Sequence, residues 1–149
     1  MFQQHRVPLT DPRLKTVYTH FAKNLTDIIA TAQDSGAKVI VCTVATNLKD
    51  NPPFASRHRQ DLTPAQESQW EENYNKGLAI EAEGEYREAI NAYLQAAQID
   101  DNYADLNFRL GRCYLRLNKH EEARQYYIKA RDLDALRFRA DSQINRIIR

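Results

Sequence analysis

Residues 70–101 read WEENYNKGLAIEAEGEYREAINAYLQAAQIDD, and residues 104–135 read ADLNFRLGRCYLRLNKHEEARQYYIKARDLDA. Between them Gly77, Ile80, Gly84, Ala89, Tyr93 and Ala96 recur 34 positions later as Gly111, Tyr114, Asn118, Ala123, Tyr127 and Ala130. A fixed period of this length, with small residues at fixed phase, is the signature of a helix–turn–helix repeat. The residue types have physical reasons. Gly77 and Gly111 fall where two helices approach too closely for a side chain. Ala89, Ala96, Ala123 and Ala130 are small for the same reason on the second helix of each pair. Tyr93 and Tyr127 are expected to fill the space between neighbouring pairs. Gly84 and Asn118 mark the turn inside each repeat, where left-handed backbone suits Gly best and Asn next.

The pattern resembles the tetratricopeptide repeat. Asn73 and Asn107 stand where that pattern has its first aromatic, and Asp101 and Ala135 where it has its closing proline. The resemblance implies a mainly α fold and a groove lined by the first helix of each repeat. In that phase the lining is Tyr74, Leu78, Glu81, Phe108, Arg112, Leu115 and Arg116. Aromatic, aliphatic and Arg side chains together suit an extended peptide or a partner helix. The Lys and Asn set with which some of these repeats clamp a C-terminal carboxylate is absent. The competing reading is that the groove packs on residues 13–45 or on an adjoining domain.

Before the repeats, Asp11-Pro12 opens a long amphipathic helix whose apolar face runs through Leu14, Val17, Tyr18, Phe21, Leu25, Ile28, Ile29 and Ala32. Residues 1–12 read as a loop. Ser35-Gly36 ends the helix, and Ala37–Ala45 follows, β-branched and almost continuously apolar. It reads as a strand buried on both faces. No second strand is found, and one strand cannot satisfy its own N–H and C=O groups. It pairs with a copy of itself, making a homodimer through Val39–Val44 (the groove is the other face expected to join two copies), or with chain outside this sequence, or it packs otherwise. Thr46–Leu62 is a long loop. Thr63-Pro64 and Gln66 then form a capping box. Helices are expected over about 64–82, 86–99, 103–116 and 120–133, and a capping helix over about 135–148. The domain division is thus 1–62 for a helix–strand segment and loop, 63–134 for two repeats, and 135–149 for the capping helix.

The flanks resemble part of an SGNH (GDSL-type) hydrolase. The residues concerned are Val7-Pro8-Leu9-Thr10-Asp11-Pro12-Arg13, Tyr18, Phe21, Asn24-Leu25, Ala37–Val41, Asn47-Leu48-Lys49-Asp50, Pro53-Phe54 and Ser56, with Leu136–Asp141 and Asn145–Ile148 at the far end. That family's Gly-Asp-Ser, Gly-x-Asn-Asp and Asp-x-x-His blocks do not occur. The resemblance therefore implies an internal slice of such a protein, carrying a repeat insertion and not catalytic by itself. The loop from Asn47 to His58 would border the active site of a complete hydrolase.

Twenty-one basic and twenty acidic residues nearly cancel, so neither nucleic acid nor a membrane surface is expected as a partner. Arg137, Arg139, Arg146 and Arg149 read as a solvated helix face. No apolar run approaches the roughly 20 residues of a membrane span. The N-terminus lacks the apolar core of a secretory leader, and a cytoplasmic location is expected if the chain is complete. Cys42 and Cys113, each among apolar neighbours, read as buried free thiols. His5, His20, His58 and His120 are scattered, so neither metal nor cofactor is expected. Ser56, His58 and Asp61 invite an esterase-type alternative in the 46–62 loop. Three triad members within one short loop rarely reach the required geometry, and the competing reading is a polar loop with an exposed His58. Glu81, Glu83 and Glu85 around the first turn, and Glu121 and Glu122 at a helix start, read as dipole partners rather than paired catalytic acids.

Overall fold

The computed structural model describes residues 6–149. Among them are six helices and no strand: α1 (Arg13–Asp34), α2 (Pro64–Ala82), α3 (Tyr86–Ile99), α4 (Ala104–Arg116), α5 (His120–Leu133) and α6 (Ser142–Ile148). The fold is mainly α. Of the loop expected over 1–12, the first five positions lie outside the described residues.

Helices α2 and α3 pack as one pair, α4 and α5 as a second, and α3 lies against α4. Thr63 Oγ1 accepts the Gln66 N–H at 3.3 Å while Gln66 Oε1 accepts the Thr63 N–H at 3.0 Å, which closes the capping box and starts α2. Gly84 and Asn118 both hold left-handed backbone, with φ of 84° and 60°. Gly77 and Gly111 are buried. A Cβ on Gly77 would run into the Tyr93 ring, and one on Gly111 would come within 2.9 Å of Tyr127. The two tyrosines thus first fill the gap inside their own pair. Trp70, Ile90, Tyr93, Leu106, Leu110 and Cys113 form the main core. A second cluster joins Phe108, Ala123, Tyr127 and Ala130.

Outside the pairs several expectations need correction. Residues 37–45 form no strand, are exposed throughout, and leave Ile40 88% exposed. Cys42 is exposed with them, and only Cys113 is buried. β-branched residues favour a strand, but a ladder needs a neighbour, and the described residues supply none. Among them the backbone groups of Lys38–Thr43 find no partner. Val44 does: its N–H donates to Asn145 Oδ1 at 2.8 Å, and its carbonyl accepts from Asn145 Nδ2 at 3.0 Å. α1 keeps its amphipathic pattern but buries no residue, and Ile28 is 66% exposed. It packs against α6.

The C-terminal helix is shorter than expected. Asp141 caps it by accepting the Gln143 and Ile144 N–H groups at 3.0 and 3.1 Å. The preceding residues are drawn out of helical geometry by other partners. Ala135 donates to the Ala55 carbonyl at 2.9 Å and accepts from Val7 at 2.8 Å. Arg137 donates to the Asp132 carbonyl at 2.7 Å. Arg139 donates to the Asn51 carbonyl at 2.7 Å and pairs with Asp134 at 3.0 Å. Both arginines are largely buried, so they are not part of a solvated helix face. α6 rests on α1.

Candidate functional site

The two first helices, α2 and α4, are tied together by a buried acid. Glu81, in the last turn of α2, is 6% exposed. Burying a carboxylate is costly unless it is paired and hydrogen-bonded. Tyr93 donates its hydroxyl to Glu81 at 2.6 Å, Arg109 reaches it at 3.2 Å, and Arg112 approaches with Nη2 at 2.6 Å and Nε at 2.9 Å. Glu81 is therefore a link between repeats and not a partner for a helix dipole. Arg109 also donates to Asp105 at 2.7 Å and to the Tyr74 hydroxyl at 3.0 Å, and Tyr74 in turn donates to Asp105. Burial, then the Glu81 charge, pushes the Tyr93 phenol well above its ordinary value. Burial, then Asp105, does the same at Tyr74. The buried Cys113 thiol is pushed up to about 12, first by burial and then by Glu81. It stays protonated at neutral pH.

The other expected groove residues are spread over different environments. Tyr74 stacks on Trp70 with centroids 4.7 Å apart. Leu78 is half-buried against the main core. Phe108 is buried beside Tyr127, ring to ring at 5.2 Å, so it serves as core and not as lining. Leu115 is half-buried on the second cluster. Arg112 and Arg116 are exposed.

The loop expected over 46–62 is a strap laid on the ends of both pairs. Asp100 and Asp134 follow α3 and α5, are 34 positions apart, and are each 2% exposed. The Asp134 carboxylate accepts the Phe54, Ala55 and Leu136 N–H groups at 3.0, 3.1 and 3.1 Å. The Asp100 carboxylate accepts the Arg59 and Asn102 N–H groups at 3.2 and 3.0 Å and lies 2.8 Å from His58 Nδ1. The His58 ring sits against Trp70 and Tyr103, with centroids 4.5 and 4.6 Å away. Upstream, Leu48 packs on the second cluster. Lys49 and Asp50 join Arg112, Arg116 and Tyr127 around a cavity of about 440 Å³. Sequence reasoning missed Asp100 and Asp134. Their signal was present in the 34-residue spacing, which puts an acid after each second helix.

The strap also separates the three residues of the esterase alternative. Ser56 Oγ accepts the Asp105 N–H at 2.9 Å, His58 engages Asp100, and Asp61 is exposed near Arg59. No hydrogen bond joins them to one another among the described residues. His58 is mostly covered and not the exposed loop residue expected. Among the described residues no group of three or more His, Cys, Asp or Glu is placed to hold a metal, and no helix is long and apolar enough to cross a membrane.

No curated protein and no solved structure matches the chain. The family model described as a tetratricopeptide repeat matches residues 81–141. That span runs from Glu81 through α3, α4 and α5 to the α6 cap, and the match supports a tetratricopeptide repeat protein.

Proposed function

We propose that this chain is a protein-interaction module that takes a peptide or partner helix along α2 and α4. Tetratricopeptide repeats generally bind proteins or peptides, and the matched span covers three of the four repeat helices. The observation that carries the reading is the Glu81 link. It fixes α2 to α4 through Arg109 and Arg112, leaving Arg112 and Arg116 exposed and Tyr74, Leu78 and Leu115 partly so. A pre-fixed surface of aromatic, aliphatic and Arg side chains suits peptide anchoring. Selection from a short-peptide display library tests this. Binders should weaken about ten-fold or more with Leu78→Arg or Leu115→Arg. Binders indifferent to Tyr74, Leu78, Arg112 and Leu115 substitutions would sink the reading.

We also infer that the chain is a non-catalytic part of a larger SGNH hydrolase-like protein, with residues 63–134 inserted between flanks 1–62 and 135–149. The meeting of the flanks supports this: Val7 bonds Ala135, Tyr18 donates to Asp141, and Asn145 holds Val44. The uncovered apolar residues of α1 and 37–45 are what one piece of an α/β layer would leave open. A homodimer through Val39–Val44 would cover the same surface. Hydrolysis of a chromogenic acyl ester checks the catalytic part. No turnover is expected, and turnover lost with Ser56→Ala would restore the esterase alternative.

A further inference from the structure

The cavity between the strap and the end of α4 has a chemistry of its own. Lys49, Arg112 and Arg116 border it against one acid, Asp50. The Lys49–Asp50 contact, 3.5 Å between exposed groups, is too weak to neutralise the site. Arg112 reaches Glu81 through Nε and Nη2, and among the described residues its remaining donors are uncommitted. Arg116 has no ion-pair partner among the described residues. Tyr127 also borders the cavity, with its hydroxyl buried and without a hydrogen-bond partner among the described residues. The cavity is thus bordered by three cations and one acid. Leu115 supplies an apolar wall beside these groups.

We propose that this cavity receives the phosphate of a phosphorylated side chain on a peptide lying along the groove. The inference rests on the peptide-binding reading above. A phosphomonoester brings nearly two charges and three acceptor oxygens, enough to engage the Arg112 and Arg116 guanidiniums and the Lys49 ammonium at once. A single carboxylate meets only part of that demand. Arg112 and Arg116 lie one helical turn apart on α4, so both forks reach the same side of the helix.

The test is an amide-resolved NMR titration at fixed ionic strength, with N-acetylphosphoserine amide, N-acetylaspartate amide and inorganic sulfate as probes. The phosphoserine probe should give saturable shifts at Lys49, Arg116 and Asn118. Its affinity should exceed that of the aspartate probe about ten-fold, and Arg116→Gln should reduce it by a similar factor. Arg116→Gln removes an exposed side chain, so an unchanged melting curve shows that the variant is folded. Absence of saturable shifts overturns the proposal, as does an equal response to all three probes. The groove reading fails separately. Phosphorylated peptides that bind through Tyr74 and Leu78 equally well in the Arg116→Gln variant keep the groove and overturn the phosphate pocket. A phosphoserine response with no peptide ever bound keeps the anion site and overturns the groove.

Discussion

At Gly77 an added methyl group would occupy space already held by the Tyr93 ring, and the ring cannot retreat because its hydroxyl is fixed on Glu81. Gly77→Ala should therefore destabilise by about 1–3 kcal/mol, and Gly111→Leu by at least as much, read from urea unfolding. Asn118 poses the opposite problem. Its left-handed backbone is better suited to glycine, so Asn118→Gly should be near neutral while Asn118→Val should cost about 1–2 kcal/mol. Cys113 contributes a pH dependence with a definite sign. The unfolded thiol ionises near 9.0 and the folded one near 12, so above pH 9 the unfolded state releases a proton that the folded state keeps. The stability associated with the neutral thiol is complete below that value and falls as pH rises toward 12. Melting temperatures across this window should drop less steeply in Cys113→Ala, relative to that variant's own value at pH 8.

The strap is an element without secondary structure, and it is held by specific bonds. Asp134→Ala would orphan the Phe54 and Ala55 amides and leave Arg139 without its carboxylate. The expected loss is about 2–4 kcal/mol, accompanied by faster hydrogen exchange at residues 53–56 and 134–139. Unchanged exchange there would show that Asp134 does not anchor the strap. This element also shows where sequence reading stops. The repeat pairs were legible because close approach and left-handed turns leave marks in residue type, at Gly77, Gly111, Gly84 and Asn118. The strap was not, because its main anchors are backbone N–H groups, which every residue but proline possesses. Ala37–Ala45 was misread for a related reason. A β-branched run declares a preference, but hydrogen-bonding neighbours decide whether a strand exists. Of the residues expected to line a groove, Arg112 and Arg116 are exposed. Phe108 and Glu81 were not legible as core and buried link, because those roles depend on Tyr127, Arg109 and the opposite pair.

Across the whole molecule the burden of burial is uneven. The repeat pairs hold the main core, whereas α1 buries no residue and 37–45 lies open. Ile40→Lys, at a position 88% exposed, should change unfolding free energy by no more than about 0.5 kcal/mol. If Val39–Val44 joins two copies, the same substitution should convert a dimer into a monomer by light scattering. A dimer that survives it would exclude that interface.

The Asp134 anchor has a consequence in time as well as in space. Its bond to Phe54 closes 80 positions of chain, and the Val44–Asn145 clasp closes 101, whereas each helical pair is joined by a short turn between adjacent helices. Local contacts form early and distant ones late, because the entropy of closing a long loop is paid before the contact rewards it. The repeats should therefore assemble first and act as the template on which the strap is fastened. Reversed, the same order predicts that the strap detaches before either pair unfolds, which would open the route to the cavity beside Leu48 without global unfolding.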